Sequence, residues 1–220
     1  MLGGRVRFWR GTYNPTSDAA WLAAMAADTA AKTVLDVGVG TGGTLLCLMA
    51  HNCIQNATGI DISETMLNEC EKNAILNERH IELIHADIMN WRTARTFDMV
   101  ITNPPYFRGT PAAHNAHHNT DIIKWVKKSV ARVRPNGTFC TIVDACAASE
   151  VIATLTGVCG DINIFPLFST KNTAERVIVR ARVASHAPTV IYNGLNMNCD
   201  LVLRDGLTIR DTLATLHTQC

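Results

Sequence analysis

The sequence predicts an α/β fold: a doubly wound, mostly parallel seven-stranded sheet, helices on both faces, and a terminal antiparallel hairpin. Three observations carry this. Short apolar runs alternate with segments of helical period from Thr33 to Val143. The first run opens into a glycine-rich turn, Gly38-Val39-Gly40-Thr41-Gly42-Gly43, with an apolar helical segment directly behind it. The residues that carry chemistry then fall at the carboxyl ends of the runs, where such sheets bind their ligands.

Taken in order, the chain begins with a polar, aromatic lead-in (Phe8, Trp9, Tyr13). Thr16-Ser17-Asp18 then offers N-cap residues to an Ala-rich helix over Ala19–Ala31. Thr33–Val37 is the first strand, and Thr44–Ala50 a helix with Leu45, Leu48 and Met49 inward. Ala57–Asp61 is the second strand, Ser63–Asn73 a helix, Ile81–His85 the third strand and Phe97–Thr102 the fourth. Asp121–Arg134 is amphipathic, with Ile122, Val126, Val130 and Val133 on one stripe. Pro135-Asn136-Gly137 reads as a turn before a fifth strand, Thr138–Val143. A helix over Ala147–Val158 follows, and then two strands, Asp161–Phe165 and Arg176–Val183, close enough to form a hairpin. Beyond Pro188 the pattern predicts a strand at Leu201–Arg204 and a helix at Ile209–Leu216. The whole reads as one Rossmann-like domain over 1–220, with a lead-in and helix to 32, a catalytic core over 33–185 and an extension from 186.

Composition bounds the function classes. With 220 residues and 47% hydrophobic content the chain can bury a full core, and a net charge of +1 advertises no global nucleic-acid partner. Local basic groups exist: Arg5, Arg7 and Arg10 precede the first acid, and Lys124, Lys127, Lys128, Arg132 and Arg134 form an uninterrupted run. The eight cysteines contain no C-x-x-C pair, which points to free thiols in a reducing, cytoplasmic setting. No segment has the length and apolarity of a membrane span or a signal peptide.

The glycine turn fits the dinucleotide fingerprint, Gly38-x-Gly40-x-x-Gly43, and also the pattern Gly38-x-Gly40-x-Gly42. Asp36, two residues before the first glycine, discriminates. A carboxylate there opposes a pyrophosphate and favours a cationic ligand, such as the ammonium of a methionine moiety beside its sulfonium. S-adenosylmethionine is therefore the expected cofactor, ahead of a dinucleotide or a purely structural turn, with Val39 part of the same cradle. Asp61 ends the second strand, where a carboxylate can take both ribose hydroxyls; its alternative is to cap the helix that follows. Asp87 ends the third strand and suits the adenine amine, or else caps a turn. Ile62 and Ile88 follow these acids and either sandwich the adenine or belong to the core.

The fourth strand stops at Asn103-Pro104-Pro105-Tyr106. Two prolines cannot go on donating to a ladder, so the segment presents stiff acceptors, the Asn103 side-chain oxygen and the Pro104 carbonyl, beside a flat ring. That pair suits a planar group carrying an –NH2. Asn103 would also border the cofactor, and Tyr106, Phe107 and Arg108 would meet the substrate. His114, His117 and His118 lie in the polar loop beyond; no acid or cysteine joins them, and no metal is expected.

These residues resemble the class I S-adenosylmethionine-dependent methyltransferases, whose motifs match Asp36-x-Gly38-x-Gly40-x-Gly42, Asp61, Asp87 and Asn103–Tyr106 in order. The resemblance implies methylation of an amine conjugated to an sp2 system, with Asn103, Pro104, Pro105 and Tyr106 as the catalytic set. A narrower likeness, to the tRNA adenine-37 methyltransferases that act on valine tRNA and especially their alphaproteobacterial relatives, rests on further residues. These are Leu2-Gly3-Gly4-Arg5-Val6, Asn103–Phe107, Arg176–Arg182 and Leu201-Val202-Leu203. It implies an RNA substrate, tRNA; Arg5–Arg10 and Arg108 are then candidates to position phosphates, the alternative being plain surface. Trp9–Pro15 departs from those relatives in lacking their glutamine and Gly-Tyr-Arg. The competing expectation is a protein glutamine methyltransferase, whose amide offers Asn103 the same geometry; the short stretch before the first strand speaks against it.

Overall fold

The computed structural model describes residues 1–11, 13–51, 54–105, 122–170 and 172–218. Among them lie nine strands in one sheet: β1 Thr33–Val37, β2 Asn56–Asp61, β3 Glu82–His85, β4 Phe97–Thr102, β5 Val133–Asp144, β6 Cys159–Phe168, β7 Arg176–Val183, β8 Val190–Ile191 and β9 Leu195–Asn196. Their order is β3-β2-β1-β4-β5-β7-β6-β8, with β9 on β6. β1 to β5 are parallel, and β7 inserts antiparallel between β5 and β6. The expected hairpin is therefore present, but two short strands lengthen the expected seven-stranded sheet.

Period-two alternation decides which helices cover which face. Met99 and Ile101 of β4 and Ile178 of β7 face one core layer with Trp21, Leu45 and Val202. Val100, Phe139 and Val179 face the other, with Val126 and Val151. The first layer is covered by α1 (Ser17–Ala26), α2 (Gly43–His51), α3 (Glu64–Leu76), α6 (Asp200–Leu203) and α7 (Ile209–His217). The second is covered by α4 (Ile122–Val130) and α5 (Ala148–Thr156). α1 is buried from Asp18 to Ala26, and its alanines let it pack closely against its neighbours. It ends well before Ala31.

Two further expectations needed correction. Leu201–Arg204 is not a strand: Asp200–Leu203 form a helical turn whose Val202 is buried in the α1 layer. A four-residue apolar run is too short for periodicity to choose between strand and helix. Pro135-Asn136-Gly137 does not precede β5 but lies inside it, at a bulge where Asn136 adopts φ 62° and the β4–β5 register shifts.

Sheet order reverses between β1, whose neighbours run outward through β2 to β3, and β4, which leads to β5. Ligands bind outside the carboxyl ends at such a switch point. Register makes the edge level: Val37 pairs with Ile60 on one side and with Thr102 on the other. Gly38, Asp61 and Asn103 are each the next residue along.

Candidate active site

The glycine turn is held against β2 by its own backbone. The N–H groups of Gly38 and Val39 donate to the Ile60 carbonyl at 2.8 and 3.0 Å, and Gly42 N–H closes the turn on the Val39 carbonyl. Gly40 has φ +53° and only open space where a side chain would stand, so its backbone is free to be approached by a ligand. Asp61 joins the turn to α3: one carboxylate oxygen accepts from Gly40 N–H at 2.9 Å, the other from Ser63 N–H at 2.9 Å. Each oxygen keeps a further lone pair for a hydroxyl. The cap of α3 is Ser63, whose hydroxyl accepts from Met66 N–H at 3.4 Å, and Asp61 orients that residue while staying open to a ligand.

Asp36 is 2% exposed at the floor of the turn. Burial, reinforced by the nearby Asp61 charge, pushes its carboxyl up to about 8. Asp87 braces a local turn, accepting from Met89 N–H at 2.9 Å and the Asn90 amide at 2.8 Å, one bond on each oxygen, so each again keeps a further lone pair. Ile62 is 69% exposed, an apolar side chain standing free beside Asp61, whereas Ile88 belongs to the buried core. Only the first of the two leaves its side chain exposed.

Asn103 follows β4 with Pro104 buried and Pro105 half-buried behind it. Its side-chain oxygen is buried and has no hydrogen-bond partner among the described residues. Such an orphaned acceptor costs on the order of 1–3 kcal/mol, and a ligand N–H would satisfy it. Tyr106, Phe107, Arg108 and the loop histidines lie outside the described residues.

Two structural contributors had no signal in the sequence pattern. Trp125 of α4 donates from Nε1 to the Thr102 hydroxyl at 2.9 Å, and that hydroxyl donates to the Val37 carbonyl at 2.7 Å. Thr102 precedes Asn103 and Val37 precedes Gly38, so this relay ties the two halves of the site together. The same indole packs on Gly38, its Cζ2 3.2 Å from where a Cβ would stand. Its partners, Thr102 and Gly38, are distant in sequence. Asn73 of α3 is the second. Its amide donates to the Thr41 carbonyl at 2.9 Å and its oxygen accepts from Trp9 N–H at 2.9 Å. Asn77 repeats the device one turn on, with Arg7 N–H and the Arg7 carbonyl. The lead-in is therefore strapped along α3 beside the turn, with Trp9 and Tyr13 exposed.

Arg5 and Arg7, expected to position phosphates, are exposed and also tie the strap down. Arg5 donates to the Gly206 carbonyl at 2.7 Å and to that of Asp205, and Arg7 donates to the Leu76 carbonyl at 2.8 Å. Both guanidiniums bind backbone.

Comparison with known proteins meets this geometry. The family model described as the methyltransferase small domain matches residues 16–165, which hold the glycine turn, Asp61, Asp87 and Asn103. The chain belongs to the methyltransferase small domain family. Among curated relatives, a Glaesserella parasuis protein named tRNA1(Val) (adenine(37)-N6)-methyltransferase is 28% identical over 62% of this chain and 61% of its own length. A Vibrio cholerae protein of the same name is 36% identical over 45% of this chain and 42% of its own. The chain thus spans less than two thirds of these relatives. Among solved structures, an Agrobacterium tumefaciens protein described as a predicted O-methyltransferase superposes with TM-score 0.71 at 22% identity, covering 87% of this chain and 97% of that one. The T. thermophilus 16S rRNA N2 G1207 methyltransferase, solved with AdoMet and guanosine, superposes with TM-score 0.57 at 20% identity over 80% of this chain and 45% of that one. Both share the fold of this methyltransferase small domain. Among the described residues no group of three or more His, Cys, Asp or Glu is placed to hold a metal, and no helix is long and apolar enough to cross a membrane.

Proposed function

We propose that this chain is an S-adenosylmethionine-dependent methyltransferase acting on the exocyclic amine of adenine in RNA, with tRNA as the substrate class. The orphaned Asn103 oxygen at the switch point carries the reading. The names of the curated relatives support the choice of polymer and base.

The cradle fits the cofactor by the chemistry of its donors and acceptors. Asp61 offers free lone pairs to ribose hydroxyls, Gly40 leaves its backbone open, Ile62 stands ready to cover the adenine, and Asp36 faces the cationic methionine end. When bound, the cofactor supplies a methyl group on a sulfonium. The chain's own residues prepare the acceptor. An adenine amine is a weak nucleophile because its lone pair is delocalised into the ring. Asn103 and the Pro104 carbonyl accept its two hydrogens, favouring a pyramidal nitrogen and stabilising the positive charge that develops on it. Trp125 and Thr102 hold Asn103 level with the glycine turn, which supplies alignment. The extra proton can leave after transfer, so no strong general base is needed. The base would be unstacked into the site, with Tyr106 and Phe107 as stacking walls and Arg108 near the backbone.

The test supplies labelled S-adenosylmethionine together with unmodified bulk tRNA, DNA or release-factor protein. Label in tRNA is the expected outcome. Label only in DNA or only in protein refutes the RNA reading, the latter in favour of glutamine methylation.

A further inference from the structure

Away from the methyl-transfer edge, the opposite, amino-terminal edge of the parallel strands holds a cavity of about 360 Å³ with four arginines in its lining. Two are contributed by alternate positions of β7, Arg180 and Arg182, which face the α1 layer. Arg134 comes from the bulge of β5 and Arg210 from the first turn of α7. Three carboxylates also line it, and each is already engaged. Asp98 pairs with Arg134 at 2.5 Å and accepts from the N–H groups of Lys32 and Thr33. Asp28 accepts from Arg210 N–H at 3.1 Å, and Asp161 accepts from the Asn163 amide at 2.9 Å. Asp98 braces the Arg134 guanidinium, and the backbone carbonyl of Asp28 accepts from that of Arg210 at 3.0 Å.

Arg180 is different. It is half-buried, its charge reaches Asp28 and the buried Cys140, and it makes no hydrogen bond or ion pair among the described residues. Among the described residues Arg182 uses only its Nε, on the Asn136 carbonyl at 3.2 Å, and its outer nitrogens make no hydrogen bond. Two neighbouring guanidinium forks with unspent donors among the described residues, one half-buried and one exposed, match the planar, multidentate geometry that binds phosphate oxygens. An anion bound between them would gain charge-assisted hydrogen bonds from both forks.

We propose that this cavity is a second ligand site, separate from the methyl-transfer centre, that binds a phosphate-bearing anion through Arg180 and Arg182 with Arg134 and Arg210 at its rim. Its source is either a free phosphate compound or the phosphate backbone of a bound RNA. The site itself does not depend on which methyl acceptor the enzyme uses.

The experiment titrates the full chain with inorganic phosphate and with pyrophosphate by calorimetry, at ionic strength held constant with chloride. Saturable binding at one site is expected, at least tenfold weaker in R180Q and severalfold weaker in R182Q. Absence of saturable binding, or equal binding by wild type and both variants, overturns the proposal. Circular dichroism checks that R180Q folds; if it does not, the exposed Arg182 carries the test alone. Binding repeated with tRNA then separates the sources. Displacement of tRNA by pyrophosphate, lost in R182Q, assigns the site to RNA backbone. Pyrophosphate binding with tRNA affinity untouched assigns it to a free anion.

Discussion

Asp36 yields a prediction whose size follows from its burial. With the carboxyl pushed up to about 8, the free protein at pH 7 holds this group about 90% protonated. Binding a cation against it favours the ionised form, so cofactor binding should expel this proton. Release traced to Asp36 should be about 0.9 per site at pH 7, about 0.5 at pH 8 and about 0.1 at pH 9. Affinity should rise with pH, by up to about tenfold per unit below 8, and level off above it. The measurement is calorimetric titration of S-adenosylmethionine in buffers of different ionisation enthalpy. The cofactor's own amino group titrates near 8, so the difference between wild type and D36N isolates the carboxyl. The reasoning fails if that difference is zero at pH 7. The sign for the free protein is opposite. A carboxyl that holds its proton more tightly when folded favours the fold at low pH, and that contribution is lost as pH rises through about 8. Thermal melts of wild type minus D36N should show a falling advantage between pH 5 and 9.

Other perturbations separate binding from catalysis. N103A should lower kcat by about 100-fold or more, since it removes an acceptor aimed at developing charge, while calorimetric cofactor affinity changes by less than about threefold. D61A should do the reverse. It loses an acceptor for the cofactor and also releases Gly40 N–H and Ser63 N–H, so cofactor affinity should fall by about tenfold or more in the same titration. W125F keeps a ring against Gly38 but deletes the donor to Thr102. It should cost about 1 kcal/mol of stability in denaturant melts and lower kcat, with affinity for the cofactor little altered. N73A should unfasten the lead-in from the glycine turn, read as faster proteolytic cleavage within residues 7–15.

Elements with strong local signals were legible in the sequence. Phe97–Thr102 and Arg176–Val183 were read to the residue because uninterrupted apolar or alternating runs ended at a proline pair, an acid or a turn. The carboxyl-end clustering of Gly38, Asp61, Asp87 and Asn103 followed from strand order alone. Features set by tertiary contact were not legible. β8 and β9 are two residues each and exist because β6 offers them an edge. The proline-containing bulge of β5 looks like a turn unless β4 is known to lie beside it. Trp125, Asn73 and the cavity arginines act on partners far along the chain, and composition gives no hint that Arg5 and Arg7 fold back onto carbonyls.

The central claim is that Asn103 presents an aromatic amine of RNA for methylation. The most direct measurement is mass spectrometry of nucleosides from tRNA treated with wild type or N103A. The account predicts N6-methyladenosine formed by wild type and lost in N103A at unchanged cofactor affinity. A ribose-methylated or differently methylated nucleoside, or N6-methyladenosine made at full rate by N103A, would contradict it.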